Sequence, residues 1–452
     1  AAIAFAALAA GSVTAGFSYV RAIRAEADAR QEAAVAREVS DFLVSAFKVT
    51  HPGEHRGRPV TARELLDNAA AQIATGFTRQ PVIRQRLLIS LSQSYSALGL
   101  SRDGRALAEK ALEGLPPAGR ESLQDAAALL ELGRTCHVLN EFSRAREAAV
   151  RAAGIRRRIL GPRHPDVSAA LTLQAEILTS TDGFAAGLDL MNEVLSIRLE
   201  TFGEQHLETG RALAQIGVIY ARRRQPGDLK LARSYYLLAL PIYEVKLGPD
   251  HPDYATHLDY IGNTQRNGGE ALPWYERSLS IRKRIMGPGH LKVSDSLFYI
   301  GRAYSQMGKF GEAKPYLLES LRMRESALGP DSVQTGNVVH SLGIVEAGLH
   351  GYNAALPYFE RSLAISRKAL GPSHSVTALN HINIGKILVG LHRFGEAVPH
   401  LREGIRGGFS FDWTGKEFHR VRNDPRFLAL AAEQERIRKE KPAERQWVHP
   451  VK

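Results

Sequence analysis

The chain has 452 residues, 44% of them hydrophobic, with a formal net charge of +12 and one cysteine, Cys136. That is ample material for a buried core, and a lone cysteine excludes both an internal disulfide and a thiolate metal cluster. The positive balance favours acidic partners in general, but no zinc finger, aromatic RNA-binding signature or concentrated basic tract accompanies it, so no specific nucleic acid is expected as a partner.

Ala1 to Val20 carries no charge, and twenty residues at about 1.5 Å each reach about 30 Å, enough to cross a bilayer. A membrane helix, a signal-peptide core without its basic start, and a buried helix remain open for it, with a transmembrane helix over 1–20 as the leading expectation. The chain opens on alanine inside this stretch, as a sequence cut from a longer one would. Residues 21–84 read as a helical linker. Val35, Val39, Phe42, Leu43 and Phe47 form its apolar stripe, Thr50 to Pro59 breaks it, and Thr61-Ala62-Arg63-Glu64 is a capping box that starts the next helix.

From residue 85 to 409 one unit is copied. Its phrase appears as Leu160-Gly161-Pro162-Arg163-His164-Pro165, Phe202-Gly203-Glu204-Gln205-His206, Leu247-Gly248-Pro249-Asp250-His251-Pro252, Met286-Gly287-Pro288-Gly289-His290, Leu328-Gly329-Pro330-Asp331 and Leu370-Gly371-Pro372-Ser373-His374, in steps of 42, 45, 39, 42 and 42 residues. A second ladder, Gly133, Ala175, Gly217, Gly262, Gly301, Gly343 and Gly385, lengthens and shortens with it. A fixed period of this size marks a solenoid whose units bury their faces only against each other. In the copy over 336–377, apolar residues at helical spacing (Val338, Val339, Leu342, Ile344, Val345) stop at Gly348 to Gly351 and resume with Ala355, Tyr358, Phe359, Leu363 and Ile365. Each unit is therefore a helix, a turn and a helix.

A ladder glycine inside the first helix costs about 1 kcal/mol against alanine, so its return predicts a close approach of the second helix. Pro273, Pro315, Pro357 and Pro399 are expected in the first turn of each second helix, where a missing N–H is tolerated. The Leu-Gly-Pro phrase ends that helix, with glycine expected in a left-handed cap. Cys136 occupies the position of Tyr95 and Tyr304 and reads as a packing residue. His164, His206, His251, His290 and His374 repeat with the units; helices about 8 to 10 Å apart keep them from converging on one ion, so each is expected to serve the turn that starts the next helix. The last stretch, 410–452, reads as a capping helix and tail: Asp424 caps, Pro425 takes the first helical position, and the charged run 433–445 gives the polar outer face a solenoid end needs.

No catalytic motif is present, and no cofactor, metal or small-molecule substrate is expected. His419-Arg420-Val421 is not a kinase catalytic loop, and Gly408 to Gly415-Lys416-Glu417 has the wrong spacing for a phosphate loop and lacks its Ser or Thr.

Ile300-Gly301-Arg302-Ala303-Tyr304 followed by Gly311-Glu312-Ala313-Lys314-Pro315-Tyr316 resembles the tetratricopeptide repeat, and the longer period with Leu-Gly-Pro-x-His-Pro resembles its kinesin-light-chain type. The resemblance implies an all-α, right-handed superhelical solenoid of about eight helix-turn-helix repeats. Near 85 to 115 Leu91-Ser92-Gln93-Ser94-Tyr95 puts serine where glycine belongs. It also implies a concave groove lined by first helices, taking a protein or peptide. Family positions carried onto this sequence give Arg134, Gln215, Arg222, Asp259, Tyr260, Asn263, Arg266, Tyr299, Arg302, His340, Asn383 and Lys386 as its lining. Only Asn383 keeps the asparagine that the kinesin-light-chain type often carries before the ladder position. The remaining aromatic and basic set suits an acidic or C-terminal peptide segment.

Val39-Ser40-Asp41-Phe42-Leu43-Val44, His51-Pro52-Gly53 and Thr61 to Asp67 are similar to the region between membrane helix and repeats in bacterial transmembrane serine/threonine protein kinases. That resemblance implies a single-pass inner-membrane protein, with the chain as the sensor or docking half of a kinase. A stand-alone soluble or secreted adaptor is the alternative. The family orientation puts the repeats outside the cytoplasm, whereas Arg21, Arg24, Arg30 and Arg37 after the apolar stretch favour the opposite side.

Overall fold

The computed structural model describes residues 61–440, except 78, 79, 114–116, 118, 182, 412, 414 and 415, together with residue 37. The chain divides into two compact units, 1–204 and 205–452. In the first, α1 (Ala62–Thr75) precedes three helical hairpins: α2 (Pro81–Ala97) with α3 (Ser101–Ala111), α4 (Leu123–Val138) with α5 (Phe142–Leu160), and α6 (Pro165–Ser180) with α7 (Phe184–Phe202). The second holds five hairpins: α8 (Leu207–Arg223) with α9 (Asp228–Leu247), α10 (Pro252–Asn263) with α11 (Gly268–Met286), α12 (Leu291–Gln306) with α13 (Phe310–Leu328), α14 (Val333–His350) with α15 (Tyr352–Leu370), and α16 (Ser375–Gly390) with α17 (Phe394–Arg406). A 3-10 turn over Lys416–Val421 and α18 (Pro425–Glu440) follow. The described residues thus form a helical repeat solenoid of eight hairpins.

The start of each first helix is built locally. At α1, Thr61 Oγ1 accepts the Glu64 N–H at 3.2 Å while Glu64 Oε2 accepts the Thr61 N–H at 2.9 Å, a complete capping box. The recurrent histidines do the same work singly: Nδ1 of His164, His206, His251, His290 and His374 accepts the N–H two residues on at 3.0 to 3.2 Å. Where the phrase lacks histidine, Ser332 Oγ takes the Thr335 N–H at 3.1 Å. These five histidines are structural caps.

Two local expectations need correction. Gly161, Gly203, Gly248, Gly287, Gly329 and Gly371 have φ of 81° to 89° as required of glycine, but ψ of 156° to 172° puts them in the extended mirror region, not the left-handed helical one. That region is essentially closed to residues with a Cβ. It sends the chain straight on towards the next cap, where a left-handed turn would fold it back. The prolines stand at the sixth residue of α11, α13, α15 and α17, not in the first turn. Each therefore removes one intrahelical hydrogen bond, to the carbonyl four residues earlier. Those carbonyls belong to Gly269, Gly311, Asn353 and Gly395, all exposed residues, where solvent can stand in for the missing donor.

The ladder glycine has the packing reason its recurrence predicted. A Cβ placed on Gly217 would lie 2.6 Å from the Tyr236 ring, on Gly262 2.5 Å from Tyr275, on Gly301 2.6 Å from Leu317, on Gly343 2.9 Å from Phe359 and on Gly385 2.6 Å from Leu401. Each contact is to the second helix of the same hairpin. In α2, where Ser92 replaces the glycine, the small residue moves across: a Cβ on Gly104 of α3 would meet Ser92 O at 2.9 Å, and Ser92 Oγ donates to Gly104 O at 2.8 Å. Cys136 is buried as expected of a packing residue, and burial pushes its thiol up to about 11.

The last hairpin is closed by the C-terminal segment. Phe411, Phe418, Val421, Phe427 and Leu430 join the core of α16 and α17, and the Gln434 side chain ties to both the N–H and the carbonyl of Phe411 at 2.8 and 3.0 Å.

The membrane placement does not stand. Ala1 to Val20, the expected span, lies outside the described residues, as does the linker before Thr61 apart from residue 37. Among the described residues no helix is long and apolar enough to cross a membrane. The reason is the pattern itself: the described helices mix apolar residues packed on their neighbours with polar and charged ones elsewhere, so no long uncharged run arises.

Alanine at Gly262 gains helix propensity but drives a methyl into the Tyr275 ring, so Gly262→Ala is expected to destabilise by about 1–3 kcal/mol through overpacking. At Gly154, in α5, a Cβ meets nothing within 4 Å, so Gly154→Ala should stabilise by about 0.5–1 kcal/mol. Urea unfolding midpoints of the two variants, displaced in opposite directions, check the assignment.

Candidate peptide-binding face

The expected lining residues fall in both units. Arg134 is on α4 in the first, its guanidinium 3.6 Å from the buried Glu131 carboxylate. The others lie in the second unit, and the richest cluster is on α10 and α12. Tyr260 stacks on Tyr236 with centroids 5.4 Å apart, and Tyr299 stacks on Tyr275 at 5.2 Å. Each exposed or half-buried ring on a first helix thus rests on a buried ring from the second helix of the preceding hairpin. That buried ring is the one seated on the ladder glycine. Asn263, just after Gly262, accepts the Tyr275 hydroxyl at 3.0 Å. The Arg302 guanidinium lies over Phe298, 5.5 Å from its centroid, and its charge acts on both Tyr275 and Tyr299. Burial pushes the hydroxyls of Tyr260, Tyr275 and Tyr299 above their ordinary range, so they are neutral donors.

Several expected residues sit differently. Asp259 is not exposed: it is 3% accessible and ion-paired, Oδ2 to Arg282 Nη1, at 2.7 Å. Burial pushes its carboxyl up to about 6, with the Arg282 guanidinium pulling the other way. Arg266 is off the helix face, because α10 ends at Asn263 and places it in the turn. Lys386 is half-buried, with Nζ over the Phe411 ring at 6.0 Å, so the C-terminal segment shares its surface. His340 bonds Asn380 at 2.8 Å and sits edge-on to Phe359, with Asn383 at 3.4 Å from its other nitrogen. Gln215 is half-buried and Arg222 exposed on α8.

One ladder escaped the sequence reading although it follows the same period. Arg156, Arg198, Arg282 and Arg324 occupy one position of α5, α7, α11 and α13, with Tyr243 in its place on α9. Arg198, Arg282 and Arg324 are buried and bond to first helices: Arg198 to Ser168 of its own hairpin at 3.3 Å, Arg282 to Ser296 of the next hairpin at 2.7 Å, and Arg324 to Ser294 and Asp295 of its own hairpin at 3.2 and 2.9 Å and to the Gln334 carbonyl of the next at 2.8 Å. Arginine on an otherwise apolar face was the signal. These side chains fasten helices together and leave the candidate face to other residues. Among the described residues no group of three or more His, Cys, Asp or Glu is placed to hold a metal ion.

Models of the tetratricopeptide repeat match residues 126–166, 209–253, 263–326 and 334–407. The chain is a tetratricopeptide repeat protein. A curated relative, the clustered mitochondria protein homolog of Aspergillus clavatus, is 23% identical over 187 residues, 41% of this chain. The match spans only 14% of that relative's length. Nothing in that likeness speaks for the inner-membrane placement. Among solved structures, a Rap protein complexed with Competence and Sporulation Factor is 12% identical, with TM-score 0.50, covering 80% of this chain and 99% of the other. A kinesin-light-chain-like repeat protein from Podosopora anserina is 18% identical over 46% of this chain and 98% of its own, with TM-score 0.40. These likenesses concern the fold.

In this repeat protein the Asp259–Arg282 pair makes a pH-dependent contribution. A carboxyl raised above its unfolded value holds its proton more tightly when folded, so its contribution is full below about pH 4 and is lost as pH rises through about 6. Asp259→Asn should remove that fall: the stability of the native chain relative to the variant declines between those pH values, measured by urea unfolding. Arg282→Met, which strands the carboxylate, should cost about 3–5 kcal/mol at neutral pH.

Proposed function

We infer that the chain is a non-catalytic protein-interaction scaffold, a repeat adaptor whose first-helix face in residues 205–452 takes an acidic or C-terminal peptide segment. The observation that carries this is a set of open guanidiniums beside stacked tyrosines. Several basic residues of second helices are paired between neighbouring repeats: Arg157 with Glu193 at 2.6 Å, Arg277 with Glu244 at 3.1 Å, Arg361 with Glu325 at 2.5 Å and Lys368 with Asp331 at 2.5 Å. Arg222, Arg266 and Arg302 are exposed and make no ion pair with any described residue. A guanidinium left open beside stacked tyrosines presents a planar donor fork with rigid apolar walls, which suits a carboxylate on an extended segment. Tyr260, Tyr299 and Asn263 would supply ring contact and hydrogen bonds at little cost in side-chain entropy.

A stand-alone adaptor takes precedence over the docking half of a kinase. The kinase resemblance rests on Val39 to Asp67, most of which lies outside the described residues. The Rap complex is a likeness of fold, and the peptide reading rests on this face.

Fluorescence anisotropy with matched acidic and basic peptides tests the reading. The acidic set should bind, and Arg222→Glu with Arg302→Glu should weaken it by about tenfold or more, roughly 1.4 kcal/mol, with circular dichroism unchanged. Equal binding of both sets, or affinity unchanged in the double variant, would sink it.

A further inference from the structure

The outer face of α9 differs from the same face of the second helices α5, α7, α11, α13, α15 and α17. At the position of Leu238 the other hairpins from α4/α5 onward carry Arg151, Glu193, Arg277, Glu319, Arg361 and Glu403. At the position of Val245 they carry Arg158, Glu200, Arg284, Ser326 and Lys368, and at that of Leu231 they carry Arg144, Ala186, Glu270, Glu312, Ala354 and Glu396. Several of these charged residues form the ion pairs between repeats described above. In α9 the three positions are apolar and in water, with Leu231 44%, Leu238 59% and Val245 76% exposed. Leu237 and Pro241 extend the stripe and are exposed too. Its three main members are seven residues apart, the spacing at which a helix offers one seam to another helix. Burying such residues on association is favourable, whereas leaving a contiguous stripe in water is unusual on a chain that charges the same positions elsewhere.

Charge decides the occupant. Lys230 and Lys246 flank the two ends of the stripe, both exposed and neither ion-paired with a described residue. A second copy fits badly. Antiparallel pairing centred on Leu238 sets Lys230 against Lys246 of the other copy, and parallel pairing sets each lysine against itself. Like charges at such flanks oppose association.

We propose that the outer face of α9 docks an amphipathic helix of another protein, with apolar residues at heptad spacing and acidic residues beside them. This site is separate from the first-helix face and does not rest on the peptide reading. Leu231, Leu238 and Val245 form the seam, and Lys230 and Lys246 select the flanking charge.

The test uses the full chain and two synthetic helices of about three heptads, leucine in the seam, one flanked by glutamate and the other by lysine. Titration calorimetry should show saturable binding of the glutamate-flanked helix and at least about tenfold weaker binding of the lysine-flanked one. Leu238→Glu, which installs a residue found at this position in three other copies, should keep the circular dichroism spectrum and lose at least about tenfold in affinity. Lys230→Glu with Lys246→Glu should reverse the preference, and Arg302→Glu should leave it unchanged. Equal binding of the two helices, or full affinity in Leu238→Glu, overturns the proposal. So does a native dimer that Leu238→Glu abolishes, which assigns the stripe to a second copy. Partition onto anionic vesicles that Leu238→Glu abolishes, without helix binding, assigns it to a lipid surface and also overturns the proposal.

Discussion

Everything in this solenoid hangs on the seat between a glycine in the first helix and a large side chain in the second. With no Cβ at Gly217, Gly262 or Gly343, the rings of Tyr236, Tyr275 and Phe359 press onto the helix backbone. The hairpin closes more tightly than any side chain would allow. The far side of the same ring then supports the next repeat, as Tyr236 supports Tyr260 and Tyr275 supports Tyr299. One contact sets the separation within a hairpin and the platform for its neighbour. Nearest-neighbour packing of this kind makes repeat stability a chain of coupled interfaces.

Electrostatics divides the surface that this packing leaves. Arginines that bridge repeats are either buried against hydroxyls and carboxylates or paired on the outer helices. The remaining cations near the stacked tyrosines keep their full charge towards solvent. A surface ion pair contributes little to stability, so the pairing matters more for what it silences: it neutralises part of the positive charge on the outer helices, while the guanidiniums of the first-helix face stay open beside the tyrosines.

Most of the architecture was legible because the chain repeats its own solution. The glycine ladder announced a close approach, and the recurring histidine announced a cap. Both are local or one-contact properties that a period exposes. The proline ladder misled because periodicity gives register without giving distance from a helix start, and solvent repaired a loss that the sequence alone made look prohibitive. Asp259 was placed on the open face by the family position it matches. What buries it is Arg282, arriving from α11, and no pattern within α10 reveals that. Arg266 was carried to a helix position by analogy with its neighbours, but α10 stops one turn early. The α9 stripe was visible as letters; its meaning needed exposure, since the same leucines packed inward would be ordinary core.

The odd steps of 45 and 39 residues have a simple structural source: α8 and α9 run to 17 and 20 residues where α12 and α13 have 16 and 19, and α10 stops at 12. The glycine seats on either side keep their rings. Length can therefore change at the far end of a helix, beyond its seat, while the hairpins stay in register, and copies joined at corresponding seats would meet as native neighbours do. A gene built this way can gain or lose whole modules by unequal recombination and still encode a chain that packs, with each new copy arriving together with its own socket for the next.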